Sequence, residues 1–130
     1  MKPSRPKEWQ EQQTLVEHLR AAGIKVVHIP NGEARPKVTT ASGKTYSPTG
    51  VKLKKMGVEP NFPDLLITSR VPNWDHVRAV LVEMKRDAKE KVPAEQLRYH
   101  DELRADGFVV LVGYGYDDAV EKLRSAGFRL

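Results

Sequence analysis

The sequence predicts an α/β fold with a central mixed β-sheet and helices packed on both of its faces. Two observations support this prediction. Segments with helical periodicity alternate with short apolar segments of strand length along the 130 residues, which favours layered α/β architecture. The run FVVLVGY at 108–114 is almost continuously apolar, as is typical of a strand that is covered on both faces. The length suits a single domain spanning 1–130.

The first half of the chain predicts a helix, a strand and a long irregular segment. Residues 7–22 carry an apolar stripe that includes Leu15 and Leu19, as expected of an amphipathic helix. The β-rich run 24–30 follows it as a short strand. Residues 31–61 are rich in Gly, Pro, Thr and Lys and show no periodicity, so we expect a functional or mobile loop, with room for a hairpin.

The second half of the chain predicts three strands and two helices. They are, in order, a strand at 64–68, a strand at 77–85, a helix at 93–105, a strand at 108–114 and a helix ending near 125. Pro93 suits the first turn of its helix because proline lacks a backbone donor that this turn would leave unpaired. Asp117 is expected to cap the final helix.

The composition narrows the range of functions. Lys and Arg outnumber Asp and Glu by 22 to 17, which favours a polyanionic partner, although a soluble basic protein shows the same balance. The absence of cysteine excludes thiolate chemistry and cysteine–zinc sites. The sequence has no signal peptide, no apolar run of membrane-spanning length and no phosphate-binding glycine loop. We therefore expect a soluble cytoplasmic protein without an organic cofactor.

The four histidines do not form a metal-binding pattern. They lie at positions 18, 28, 76 and 100, without the spacing of metal ligands. We expect satisfied surface or core-edge groups at these positions. His28 is the exception to follow, because it lies in the segment HIPNG at 28–32.

The predicted strand 77–85 changes character along one of its faces. Side chains alternate in a strand, so Ala79 and Leu81 share a face with Glu83 and Lys85. A face that is apolar and then becomes charged is typical of a functional site at the end of a buried strand. The alternative is a weak surface ion pair where the strand emerges into solvent.

A second carboxylate, Asp64, stands at the entrance of the neighbouring predicted strand. If strands 64–68 and 77–85 pair, Asp64 and Glu83 converge, and two carboxylates repel each other unless a cation lies between them. An all-oxygen ligand set selects Mg²⁺ or Mn²⁺ over zinc. Such an ion can polarise a phosphodiester and acidify a bound water, and Lys85 would then orient that water or stabilise negative charge on the phosphoryl oxygens.

The order Pro63–Asp64 followed by Glu83-x-Lys85 resembles the PD-(D/E)XK nuclease superfamily. Flanking segments extend the resemblance from about residue 8 to the end of the chain, and they are similar to the VRR-NUC branch. These segments are HIPNG at 28–32, LKKMGVEPNFPDLLI at 53–67, LVEMK at 81–85 and PAEQLRYHDELRADGFVVLVG at 93–113. The resemblance implies a restriction-endonuclease-like core and a metal-dependent endonuclease that hydrolyses DNA with Mg²⁺ or Mn²⁺.

The resemblance also implies two further site residues. The family's first-helix pattern, a Glu followed four residues later by Gln, falls on Glu8 and Gln12, so Glu8 is the expected third metal ligand. Glu11 is an open alternative, and acidic residues are also common in the first turn of any helix. Gln96, on the helix after Lys85, is expected to support the catalytic arrangement, although a surface helix needs polar residues anyway.

Basic residues near both motifs are candidate contacts for the DNA backbone. They would hold phosphates on either side of the scissile bond, although lysines occupy solvated surfaces everywhere. The candidates are Lys52, Lys54, Lys55, Arg86, Lys89 and Arg35.

The resemblance to short, phage-type members implies a preference for branched, flapped or junction DNA. A homodimer would suit such substrates, because two sites related by a two-fold axis can address two strands. No residue indicates the dimer directly, and RNA remains an open substrate. The alternative function is a non-catalytic nucleic-acid-binding module of the same fold. The joint presence of Asp64, Glu83 and Lys85 favours the enzyme, since a module that only binds has no need of all three.

Overall fold

The computed structural model describes residues 6–30, 38–72 and 74–130. These ranges contain α1 (Glu8–Ala21), β1 (Val26–His28), β2 (Val38–Thr39), β3 (Thr45–Tyr46), α2 (Pro48–Lys55), β4 (Leu65–Ile67), β5 (Val80–Lys85), α3 (Ala94–Ala105), β6 (Val109–Tyr114) and α4 (Tyr116–Ser125). No helix within them has the length and apolar content that crossing a bilayer requires.

The main sheet has four strands in the order β1-β4-β5-β6 and is mixed, as the sequence predicted. β4 pairs antiparallel with both β1 and β5, whereas β5 and β6 run parallel. All six residues of β5 are buried, which fits its position between two other strands and beneath helices. The sheet therefore brings the end of β5 close to the start of β4.

Helices cover both faces of this sheet, and the alternation of β5 side chains shows which face each helix covers. Val80, Val82 and Met84 pack with buried residues of α1 and α4, whereas Leu81 packs with Leu103 of α3. Fully burying one such aliphatic side chain stabilises the fold by about 1.5–3 kcal/mol. The predicted α/β architecture, with helices on both faces, is confirmed.

Gly113 of β6 allows α4 to pack closely against the sheet. A Cβ atom at this position would lie 2.7 Å from the Cβ of Ala119 and 3.1 Å from the sulfur of Met84. Any larger residue would force the helix and strand apart, because packed interiors leave little free space.

Three predicted elements have wrong boundaries. β1 spans only Val26–His28, two residues shorter at each end than the predicted strand 24–30. β5 begins at Val80 rather than at Val77, because its ladder with β4 ends at the pair Ile67–Val80. α4 begins at Tyr116, after Gly115, so Asp117 lies inside the first turn and is not the cap.

The predicted loop 31–61 contains regular structure in the part that is described. The hairpin formed by β2 and β3 agrees with the room for a hairpin that the sequence predicts. The sequence does not predict α2. Ser47 caps α2, because its Oγ accepts the backbone N–H of Gly50 at 3.0 Å, and Pro48 occupies the first turn. None of the α2 residues is buried, so the helix has no apolar stripe for sequence reasoning to detect.

Candidate active site

Asp64 and Glu83 face each other where β4 and β5 pair. The antiparallel register places Leu65 opposite Val82, so one further step along each strand places Asp64 opposite Glu83. Residues opposite each other in a sheet project from the same face. The backbone N–H of Met84 donates to Asp64 Oδ2 at 2.6 Å and fixes this carboxylate against β5. The strand pairing that the sequence reasoning assumed is therefore present.

Glu83 is a buried carboxylate with one unpaired oxygen. Only 4% of the residue is exposed, and Oε1 lies 3.6 Å from Nζ of Lys85. Oε2 is buried and has no hydrogen-bond partner in the described part of the chain. Burial first, and then repulsion from Asp64, raise the pKa of Glu83 to about 8, while the ammonium of Lys85 opposes this shift. Negative charge here is therefore unfavourable without a further cation.

Asp64 experiences a similar environment. Burial raises the pKa of Asp64, and the hydrogen bond from Met84 and the charge of Lys85 partly offset the effect. Both carboxylates therefore resist ionisation, and they lie opposite each other in the β4–β5 pair.

Lys85 connects this pair to α3. The lysine is buried, with 9% of its surface exposed, and its Nζ donates to Oε1 of Gln96 at 3.2 Å. Gln96 is half-buried near the start of α3. The Glu83 and Gln96 contacts hold the ammonium beside the carboxylates.

Glu8 and Glu11 occupy different environments. Glu8 is half-buried, and its pKa is raised by burial and by the negative charges of Asp64 and Glu90. Glu8 in turn contributes to the raised pKa of Glu83. The carboxylate of Glu11 instead accepts the backbone N–H of Tyr116 at 3.0 Å, at the beginning of α4. Glu8 therefore lies where its charge affects Asp64 and Glu83, whereas the carboxylate of Glu11 is hydrogen-bonded at the start of α4.

Gln12 lies beside His28 rather than beside the carboxylates. Its Nε2 is 3.0 Å from Nδ1 of His28. Nδ1 of His28 is also 3.1 Å from the carbonyl oxygen of Asp64. The tautomer of the imidazole decides which of these contacts is a hydrogen bond. His28 therefore lies between Gln12 and the backbone of Asp64, and its place in HIPNG is the signal in the sequence that pointed to this position.

His100 differs from its expected surface or core-edge position. It is fully buried on α3, one turn after Gln96, and neither ring nitrogen has a hydrogen-bond partner among the described residues. Burial first, and then the positive charges of Arg104 and Lys85, lower the pKa of His100. These effects favour the neutral form of the imidazole.

The basic candidates that the structure describes lie on α2 and directly after β5. Lys52, Lys54 and Lys55 are exposed in the last turn of α2, and Lys89 is exposed in the turn after β5. Arg86 has a structural contact, because its Nε donates to the carbonyl oxygen of Pro6 at 2.7 Å and ties the segment before α1 to the end of β5. Arg35 lies outside the described residues.

The residues of the site fit a hard divalent cation. The described ranges contain no group of three His, Asp or Glu side chains placed to hold an ion together. Mg²⁺ commonly uses only one or two carboxylates and completes its shell with water. Asp64 and Glu83 supply such a pair, and the unpartnered Oε2 of Glu83 is an available ligand atom. The donor set is entirely oxygen, which suits Mg²⁺ or Mn²⁺.

Comparisons with known proteins relate this chain to others through its structure. No protein-family model and no curated protein sequence matches it. A solved structure described as "VRR_NUC domain protein" is similar with a TM-score of 0.64 and 19% identity, over 98% of this chain and 91% of that chain. Another, described as "VRR_NUC domain", has a TM-score of 0.55 and 24% identity, over 93% of this chain and 97% of that chain. The chain therefore has the fold of VRR_NUC domain proteins.

Proposed function

We propose that this protein is a metal-dependent endonuclease that hydrolyses DNA phosphodiester bonds. The observation that carries the proposal is the buried carboxylate of Glu83, which faces Asp64, lies 3.6 Å from Lys85 and has one oxygen without a hydrogen-bond partner in the described ranges. A purely structural ion pair would be expected to satisfy both oxygens, because unpaired buried polar atoms are costly. The similarity to VRR_NUC domains supports a nuclease.

Asp64 and Glu83, with Glu8 beside them, would hold Mg²⁺ or Mn²⁺. When bound, the ion would polarise the scissile phosphodiester and lower the pKa of a water molecule. The carboxylates must be deprotonated to act as ligands. The hydrogen bond from Met84 keeps Asp64 directed at this position before any substrate arrives.

Lys85 would act on the reacting phosphate. An ammonium has three N–H donors, so its contacts with Glu83 and Gln96 leave a third for a phosphoryl oxygen or the attacking water. Gln96 is a positioning residue in this proposal, since it accepts from Nζ and limits the rotation of the lysine side chain. Positive charge fixed in a buried site stabilises the developing phosphoryl charge more strongly than a mobile surface lysine would.

The basic residues would bind the DNA backbone. The proposed preference for branched, flapped or junction DNA over linear duplex comes instead from the resemblance to short VRR-NUC proteins. Lys52, Lys54, Lys55 and Lys89 are exposed and therefore accessible to phosphates. Arg86 and Arg35 complete the proposed set. A homodimer, which would suit branched substrates, stays a prediction that a measurement of molecular mass in solution tests.

A gel assay tests this proposal on linear, flapped and four-way DNA in Mg²⁺, Mn²⁺ or EDTA. We expect cleavage only with metal, and we expect Asp64→Asn and Lys85→Met each to slow it by about 100-fold or more. The matched control is Lys25→Met, because Lys25 is exposed at the opposite end of the β1–β4 pair.

Two results would contradict the catalytic proposal. Equal cleavage in EDTA would show that the reaction does not require a divalent metal ion. Binding without cleavage on every substrate would favour the non-catalytic module. Cleavage that Lys85→Met leaves intact would remove the lysine from the mechanism.

A further inference from the structure

A cavity of about 500 Å³ lies next to the candidate active site and has no role in the mechanism above. Its walls come from the end of β1, the segment after α2, the approach to β4 and one turn of α3. The lining residues are Ile29, Pro30, Met56, Gly57, Val58, Glu59, Phe62 and Tyr99. A concave and mostly apolar space of this size is typical of a ligand site.

The cavity adjoins the catalytic groups through the backbone. The N–H of Ile29 donates to the carbonyl oxygen of Asp64 at 2.7 Å, and Phe62 precedes Asp64 by two residues. Tyr99 lies one helical turn after Gln96 on α3. A molecule in the cavity would therefore lie close to the groups that are proposed to act on the scissile phosphate.

The lining suits a flat aromatic ligand. Phe62 and Tyr99 form an edge-to-face pair with ring centroids 6.1 Å apart. Met56 is 72% exposed, although large apolar side chains are usually covered, and a thioether packs well on aromatic faces. Phe62 and Tyr99 pack partly against the core, and their parts that line the cavity, together with the thioether of Met56, would give an unpaired nucleobase aromatic and apolar contacts.

The charged side chains around the cavity favour a nucleobase over a phosphate group inside it. Glu59, whose Oε1 also accepts the backbone N–H of Asn61, is the one acidic side chain among the lining residues. The adjoining surface beyond Tyr99 adds Glu95, Glu102 and one positive charge, that of Arg98. These carboxylates repel phosphate but accept hydrogen bonds from the amino groups of bases. Lys54 and Lys55, directly before Met56, provide the positive charge that a backbone phosphate needs outside the cavity.

We infer that this cavity receives an unpaired nucleobase of the DNA substrate, an inference that rests on the proposed nuclease function. A base inside duplex DNA is stacked and paired, so only a flap, a junction or a frayed end presents one. The cavity therefore accounts for a preference for flapped or branched DNA by recognising an unstacked base next to the cleaved bond.

Fluorescence anisotropy tests the inference with flapped DNA and the Asp64→Asn variant, which is expected to bind without cutting. Abasic residues replace each of the first few flap nucleotides in turn. We expect one abasic position to weaken binding about 10-fold, the loss typical of one stacked base. Adding Met56→Ala to the Asp64→Asn variant should weaken binding to the intact flap. It should also abolish the abasic penalty, that is, the further weakening caused by the abasic position.

Two further variants separate stacking from a loss of structure. Val51→Ala, on α2 and away from the cavity lining, should keep the abasic penalty. Tyr99→Phe should keep it because the ring remains. The inference is overturned if no abasic position weakens binding by more than about twofold, or if Met56→Ala leaves the penalty unchanged. Cleavage is not measured here, so failure of the catalytic proposal shows separately in the gel assay.

Discussion

At Glu83, burial and the neighbouring Asp64 both oppose ionisation and raise the pKa to about 8. Between the ordinary value of 4.5 and this raised value, the folded state binds a proton that the unfolded state has lost. The protonated carboxyl of Glu83 therefore stabilises the folded state fully below pH 4.5, and this contribution is lost as the pH rises through about 8.

This linkage predicts how the metal-free protein responds to pH. In EDTA, the free energy of unfolding should be lower at about pH 8.5 than at about pH 6, and Glu83→Gln should remove most of that difference. Urea unfolding followed by circular dichroism measures it. Glu121→Gln, which changes an exposed carboxylate, should retain the wild-type dependence. An identical pH dependence in wild type and Glu83→Gln would contradict the assignment.

At the scale of elements, Glu11 joins α1 to α4. Its carboxylate accepts the first N–H of α4, for which Gly115 supplies no side chain. An acidic acceptor at this end of a helix also interacts favourably with the helix dipole. The contact joins residues that are far apart in the sequence. It holds α1, whose first turn carries Glu8, against the start of α4.

We therefore expect Glu8 and Glu11 to differ in their substitution effects. Glu11→Ala should destabilise the protein by about 1 kcal/mol, as the loss of a helix cap does, while metal-dependent cleavage by the folded protein continues. Glu8→Ala should reduce cleavage and leave stability unchanged or slightly increased, because it removes a charge that repels Asp64. Urea unfolding and the gel assay measure the two effects. A fully stable but inactive Glu11→Ala variant would reverse the assignment of these two glutamates.

The elements that the sequence predicted well are those with a buried face. β6 and the buried residues Leu15 and Leu19 of α1 left clear apolar patterns. α2 left none, because it buries no residue, and only the pair Ser47–Pro48 indicated its start. The periodicity of apolar residues reflects which face of an element is buried, not its backbone hydrogen bonds. An exposed helix therefore cannot be detected from it.

At the scale of the whole molecule, the sequence supported part of the site. Asp64 and Glu83 could be paired because each lies at a strand end, and the structure places them opposite each other. The burial of His100, the capping role of Glu11 and the cavity beside Tyr99 depend on how helices dock on the sheet. No local pattern encodes these contacts, since they join residues distant in sequence.

Under the proposed function, the buried and the exposed charges of the molecule would have separate tasks. The proposed ligands are buried or half-buried at one end of β4 and β5, whereas Lys52, Lys54, Lys55 and Lys89 are exposed. Buried carboxylates can concentrate a cation, and exposed lysines can release counterions from DNA. The excess charge of +5 is thus compatible with an acidic catalytic centre.

The central claim, that Asp64 and Glu83 form a divalent metal site, is tested most directly by calorimetric titration of the protein with Mn²⁺ at about pH 7.5 and about pH 5.5. Because both carboxylates must lose their protons to bind the ion, and burial raises the pKa of each, affinity should fall markedly at the lower pH. Equal affinity at the two pH values, or no Mn²⁺ binding at either, would contradict the claim.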